Sequence, residues 1–212
     1  MSSDFELLDA WRGGDKAAGN ALVRRHFDAL FRFFELKVPR HAKDLTQKSV
    51  LACVAARDDF REDASFKAYL FGIARNQLLV HFRSHYRAGK VFSPSEVTID
   101  RLAGGDASPT GVIAEHEQQR LLLAALRRIP IDSQIAIELF YWEELSVSDV
   151  ARVLDVPLGT VKSRLSRARE QLRLQIDKLA QTEDLRRSTA DNLDRWASSL
   201  RIRAVGDDPE RA

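Results

Sequence analysis

Apolar residues recur at helical spacing along most of this chain, and the interruptions fall at Gly, Pro and short polar runs. Leu7, Leu8 and Trp11 mark a short helix over residues 4–12, with Asp4 as a cap and Gly13-Gly14 as its end. Asp15 can cap the next pattern, residues 17–37, whose stripe runs through Leu22, His26, Leu30, Phe33 and Phe34 and which Pro39 ends. His26 is expected at a packed core edge. Residues 44–57 predict a third helix, with Leu45, Val50, Leu51 and Val54 turned inward and Asp44, Gln47 and Lys48 outside. A polar stretch, 58–65, follows and contains one aromatic, Phe60. The fourth helix runs from Phe66 to about Tyr86, with Phe66, Tyr69, Leu70, Ile73, Gln77 and Val80 in period. Arg75, Asn76, Arg83 and Arg87 fall toward its basic, exposed side.

Residues 88–115 change character: four glycines, two prolines, no sustained period, and four acids against two bases. They read as a linker. Helical pattern resumes over 116–129 with Leu121, Leu122, Ala125, Leu126 and Ile129, and ends at Pro130. Asp132 is expected to cap the next helix, whose Ile135, Leu139 and Trp142 share a face. Two short helices then meet at a tight turn. Ser146 is a good N-cap with Asp149 three residues on, and Val147, Val150, Ala151 and Leu154 form the apolar face. The helix should stop at Asp155, because Val156 precedes Pro157 and Asp tolerates the left-handed conformation of a C-cap. Pro157 suits the first position of the helix that follows.

That helix buries Val161, Leu165, Ala168 and Leu172. Its opposite face carries Ser163, Ser166 and Arg167, flanked by Thr160, Lys162 and Arg164. Small polar residues where a helix approaches closest, with long cations where phosphates pass, suit the DNA major groove. Beyond Leu179 an amphipathic pattern over 183–203 runs through Leu185, Thr189, Leu193, Trp196 and Leu200, and residues 207–212 are expected to be disordered.

Charge sharpens this picture only locally. The net charge of +2 is small, but residues 75–90 hold Arg75, Arg83, Arg87 and Lys90 without an acid, and residues 156–174 hold five bases against Glu170. Two separated basic patches suggest two contacts with one polyanion. The single cysteine, Cys53, rules out an internal disulfide and a cysteine-based zinc site, and its apolar surroundings predict a buried, inert thiol. The acidic start and the lack of a long apolar run predict a cytoplasmic protein without a membrane span.

The order of motifs resembles a known family. DLTQ at 44–47, SFKAYLFGIARN at 65–76, an irregular linker, and LSVSDVARVLDVPLGTVKSRLSRARE at 145–170 together resemble bacterial sigma factors of the extracytoplasmic-function (ECF) group. The likeness covers residues 4–179. It implies an all-α fold of two small helical domains, sigma domain two over 4–87 and sigma domain four with its helix-turn-helix over 116–179. These are joined by the linker 88–115 and followed by a C-terminal extension, 180–212, with its amphipathic helix. The resemblance also implies roles. Asp44, Gln47 and Leu51 would bind core RNA polymerase. Phe60 and Asn76 would take a flipped base of the promoter −10 element, with Arg75, Arg83 and Arg87 on the DNA backbone. Thr160, Lys162, Ser163, Arg164, Ser166 and Arg167 would read the −35 element. Promoter DNA and an anti-sigma factor are the implied partners beside the polymerase. The chain departs from the family at Lys48, where Glu is usual, at Val50, where an aromatic is usual, and at Asp155, where Gly is common.

Other functions fit less of the chain. A helix-turn-helix regulator with an N-terminal sensing or dimerisation unit explains residues 145–172 but leaves DLTQ and SFKAYLFGIARN without a purpose. An enzyme would need a site, and the sequence has no P-loop, no dinucleotide fingerprint and no Gly-x-Ser-x-Gly. His81 and His85 stand at metal spacing without a third ligand in register. No catalytic residue, metal or cofactor is expected.

Overall fold

The computed structural model describes residues 2–61, 64–87, 111–182 and 184. Regular structure among them is helical throughout: α1 (Asp4–Arg12), α2 (Lys16–Glu35), α3 (Ala42–Ala55), α4 (Phe66–Arg87), α5 (Gly111–Leu126), α6 (Ile131–Ile137), α7 (Val147–Leu154) and α8 (Leu158–Leu179). Single 3-10 turns, Pro39–His41 and Arg57–Asp59, flank α3, and a π-helical turn, Glu138–Trp142, extends α6. The helices group into two compact units, residues 1–93 with 148–156, and residues 94–147 with 157–212. The amphipathic pattern at 185–203 and linker residues 88–110 lie outside the described residues. Residues 111–115, expected in the linker, are the first turn of α5.

In the first unit the cap of α1 is Ser3 rather than Asp4. The Glu6 N–H donates to the Ser3 hydroxyl (3.2 Å) and the Ser3 N–H donates to the Glu6 carboxylate (2.8 Å), a reciprocal capping box. Asp4 is thereby free to face α2, where it accepts from Arg25 (2.6 Å) and lies 2.7 Å from His26 Nε2. Gly14, in the left-handed region at φ 101°, closes the turn to α2. Asp15 caps α2 as expected, accepting from the N–H groups of Ala17 and Ala18. Gly19 is required by packing, since a Cβ there would lie 2.6 Å from the Trp11 ring. The core beneath joins Leu8, Leu22, Leu30 and Phe34 to Leu45 and Cys53 of α3 and to Phe66, Leu70, Phe71, Ala74 and Leu78 of α4. Each large side chain so buried contributes about 1.5–3 kcal/mol. Burial pushes the Cys53 thiol up to about 11, so it stays protonated and inert at neutral pH.

Two helices are turned relative to their sequence patterns. The buried face of α3 is Ala42, Leu45, Thr46, Ser49 and Cys53; Val50 and Val54 are half-buried, and Leu51, expected inside, is 59% exposed. Thr46 and Ser49 can be buried because their hydroxyls donate back to the carbonyls of Ala42 and Leu45, each at 2.8 Å, leaving no unsatisfied donor. In α4 the buried stripe runs through Phe71, Ala74 and Leu78, and Val80, expected inside, is 57% exposed.

The second unit packs Leu121, Leu122, Ala125, Leu126 and Ile129 against Ile137 and against Ala168, Leu172 and Ile176 of α8, with Tyr141 and Trp142 at the edge. Pro130 rather than Asp132 occupies the N-cap of α6; Asp132 lies in the first turn, where a carboxylate suits the helix dipole. Between α7 and α8, Asp155 adopts φ 53° and the Val156 N–H closes back onto the Ala151 carbonyl at 3.1 Å. Pro157 is the N-cap of α8, one residue ahead of the expected first helical position, and its carbonyl accepts from Thr160 at 2.9 Å.

Candidate nucleic-acid interface

The chain leaves α3 through the turn Arg57–Asp59, becomes extended at Phe60 and re-enters a helix at Phe66. This loop and the start of α4 line one hollow with Asp59, Phe60, Arg61, Ala64, Tyr69, Gly72, Ile73 and Asn76, and Arg152 and Val153 of α7 line it as well. Phe60, expected to meet a base, is only 6% exposed. Its ring is held by Tyr69 (centroids 4.8 Å apart), Phe66 (6.1 Å) and Phe5 (6.4 Å), so it forms a wall of the hollow rather than a free platform. Asn76 is exposed, and its amide offers both a donor and an acceptor to a base edge. Tyr69 donates its hydroxyl to the Ala56 carbonyl (2.8 Å), which fixes the ring against Phe60, and burial raises its pKa.

Tyr69, Gly72 and Ile73 were not singled out by the sequence as site residues. Tyr69 and Ile73 keep the period of the core stripe, which hid them. Gly72 carried a signal: a Cβ there would meet nothing within 4 Å, so packing does not require the glycine. A mid-helix glycine costs about 1 kcal/mol against alanine, and one that no neighbour requires marks room beside the backbone. Arg75 is half-buried and Arg83 exposed on α4; Arg87 is the last residue of that helix.

The face of α3 turned away from the core carries Asp44, Gln47, Lys48 and Leu51, all exposed. Lys48 lies 2.8 Å from Asp44, an exposed i,i+4 pair worth about 0.3–0.5 kcal/mol. Where the family's usual Glu would add an acid to this face, Lys48 neutralises one.

On α8 the predicted residues separate. Lys162, Ser163, Ser166 and Arg167 are exposed, and Thr160 is half-buried. Ser163 donates to the Thr160 carbonyl (3.0 Å), and Arg167 reaches back to Ser163 through its Nε (3.4 Å to the carbonyl) and Nη2 (3.3 Å to the hydroxyl). Arg164 is different: its side chain is 22% exposed and its Nη1 lies 3.7 Å from Asp132. The sequence grouped Arg164 with the groove-facing residues, but its guanidinium turns toward the start of α6. Arg169, also on the inner side, donates to the Tyr141 hydroxyl at 3.1 Å. Among the described residues no helix is long and apolar enough to cross a membrane.

Comparison with known proteins bears on both units. Residues 22–88 match the Sigma-70 region 2 family and residues 119–172 match the Sigma-70 region 4 family. The chain is 31% identical over 182 residues to the ECF RNA polymerase sigma factor SigM of Mycobacterium tuberculosis, spanning 80% of this chain and 83% of that one. It is 27% identical over 176 residues to the ECF RNA polymerase sigma-E factor of Escherichia coli, spanning 80% of this chain and 92% of the relative. Among solved structures it resembles the sigma factor RpoE of Bartonella quintana, solved with the anti-sigma factor NepR (TM-score 0.61, 24% identity, 74% of this chain and 96% of that one). It also resembles CnrH, solved with the cytosolic domain of CnrY (TM-score 0.61, 22% identity, 84% of this chain and all of that one). Both structural likenesses support the all-helical fold. With both sigma regions matched in order and a relative above 30% identity over four-fifths of its length, this chain belongs to the ECF sigma factors, the alternative sigma factors that bind core RNA polymerase and promoter DNA to direct transcription initiation.

Proposed function

We propose how that work is divided along the chain. Residues 4–87 dock on core polymerase through Asp44, Gln47 and Leu51 and capture a flipped base of the −10 element in the hollow of Phe60, Tyr69, Gly72 and Asn76. Arg75, Arg83 and Arg87 hold the adjoining backbone. Residues 116–179 read the −35 element with Lys162, Ser163, Ser166 and Arg167, aided by Thr160, while Arg164 orients α8 through Asp132. Residues 88–115 link the two, and 180–212 form an extension. The observation that carries this reading is the hollow, which sets exposed Asn76 beside an aromatic wall on one of the two basic stretches. Flipping a base costs a few kcal/mol, which a wall to pack on and an amide to read the edge can offset.

In this division the chain carries no chemistry of its own; nucleotidyl transfer belongs to the polymerase, and the complex works in the cytoplasm. The complex of RpoE with the anti-sigma factor NepR supports a similar regulatory partner here. The test is transcription from the promoter of its own gene with added core enzyme, combined with Asn76→Ala. Specific transcripts should appear with the wild-type protein. Loss of open-complex formation in the variant, with core binding intact, supports the assignment of the hollow. Unchanged melting sinks it.

A further inference from the structure

Residues 57–60, which enter the hollow's lining, are also tied down from outside their own segment. Their 3-10 turn leaves carbonyls without helical partners, and the side chain that takes them comes from far away in sequence. Arg12, the last residue of α1, donates Nε and Nη2 to the Arg57 carbonyl (3.2 and 3.1 Å) and Nη2 to the Phe60 carbonyl (2.6 Å). Its guanidinium carbon also lies 6.0 Å from the Phe60 ring centroid. One planar fork therefore holds both ends of the segment 57–60. Phe5 stacks against Phe60, and the Arg57 guanidinium lies 5.6 Å from the centroid of Trp11, so α1 touches this segment through two further rings. α1 is itself fixed by the Ser3–Glu6 capping box, by Asp4 between Arg25 and His26, and by Trp11 seated on Gly19.

We infer that α1 is a brace for the base-capturing loop and that Arg12 is its positioning residue, setting which base the hollow accepts. This rests on the assignment of the hollow to the −10 element. The matched sigma region begins only at residue 22, so α1 lies outside it. A lysine in place of Arg12 keeps the charge but has no rigid fork with which to satisfy two carbonyls at once. Without the fork, the loop must be ordered as the base binds, and ordering that accompanies binding lowers affinity.

The test uses the full chain assembled with core RNA polymerase, as wild type, Arg12→Lys, Arg12→Ala, Phe5→Ala and Asn76→Ala. The probe is a pool of short single-stranded DNA oligonucleotides randomised in sequence, selected on holoenzyme and sequenced. Wild type should enrich one base at the flipped position. Arg12→Lys and Arg12→Ala should flatten that preference and weaken the selected oligonucleotide roughly 10-fold or more, the scale of a lost charge-assisted hydrogen bond. Core affinity and binding to −35 duplex should stay at wild-type values, and Phe5→Ala should show the same defect in weaker form. Wild-type base preference in Arg12→Lys would overturn the inference, because charge alone would then suffice. Equal losses of core binding and base preference would also overturn it, because α1 would then be general scaffold. If Asn76→Ala keeps the preference, the assignment of the hollow fails instead; if Asn76→Ala loses it and the Arg12 variants do not, only the brace fails.

Discussion

Arg164 and Arg167 stand three residues apart on α8 and are equivalent in any reading of charge, yet their surroundings predict opposite phenotypes. Arg164→Ala removes a side chain that is 22% exposed and paired at 3.7 Å with Asp132, which is 43% exposed. With that much solvent at one end, the pair is worth about 0–1 kcal/mol, well short of the ~3–5 kcal/mol of a fully buried one. Lost packing of the aliphatic stem adds to it, so a total near 1 kcal/mol is expected. For a unit of this size that corresponds to a fall in melting temperature of roughly 4–8 °C. Arg167→Ala removes an exposed side chain with long hydrogen bonds to Ser163 only, and stability should stay within about 0.5 kcal/mol. On DNA the order reverses. Arg167→Ala should cost about 1–3 kcal/mol, roughly 5- to 150-fold, if the guanidinium reads a base. If it contacts phosphate, the loss is uniform across sequences and the salt slope falls by about 0.9. The assays are a double-mutant cycle of Arg164 and Asp132 in denaturant, and holoenzyme binding to −35 duplex across a salt series. A larger DNA loss for Arg164→Ala than for Arg167→Ala, with no coupling between Arg164 and Asp132, would refute the reasoning.

Three further outcomes follow from local geometry. Gly19→Ala gains about 1 kcal/mol in helix propensity, but its Cβ would sit 2.6 Å from the Trp11 ring and overpacking costs about 1–3 kcal/mol. The denaturant midpoint should fall; a rise would show that Trp11 moves aside freely. Burial holds the pKa of His26 below its ordinary value, against the opposing pull of Asp4. The unfolded chain therefore takes up the proton first, so the contribution is intact above about pH 6.5 and is lost as pH falls toward the depressed folded value. His26→Gln should flatten stability measured by urea unfolding across that window, and parallel curves for variant and wild type would sink the assignment. Leu51→Glu, at a residue 59% exposed, should leave stability within about 0.5 kcal/mol while weakening core polymerase at least ~10-fold in a binding titration. Wild-type affinity would mean this face of α3 is not used.

The helices were legible because their stops are chemical: Gly13-Gly14, Pro39, Pro130 and the Asp155–Pro157 turn all end or separate helices as their backbone preferences require. Which face of each helix is buried was less legible, for a reason visible in α3. Thr46 and Ser49 look polar but satisfy their own hydroxyls within the helix, so they enter the core, while Leu51 remains outside. Hydropathy scores the residue, not whether its polar atoms are already bonded. Caps misled in the same way. Asp4 and Asp132 are good caps in isolation, but Arg25 and Arg164 offer each carboxylate a charged partner that no local pattern reveals. The candidate site residues at Asn76 and on α8 were proposed from motif and charge. Arg12 was not, because its partners lie 45 and 48 residues away.

The π-helical turn at Glu138–Trp142 has a meaning in the history of the chain. In it the Glu143 N–H reaches the Glu138 carbonyl (3.0 Å), five residues back instead of four. Geometrically that is one residue more than an α-helix would need to cover the same path, absorbed as a bulge so that α5 and α8 need not move. Deleting a residue between 138 and 142 would restore the ordinary winding and swing each later side chain of the turn by about 100°. Within the turn, Tyr141 would then turn away from Arg169, while the chain beyond it keeps its path. A relative whose alignment shows a single-residue gap here should therefore also lack the aromatic–arginine pair, and a relative that keeps both residues should keep the bulge.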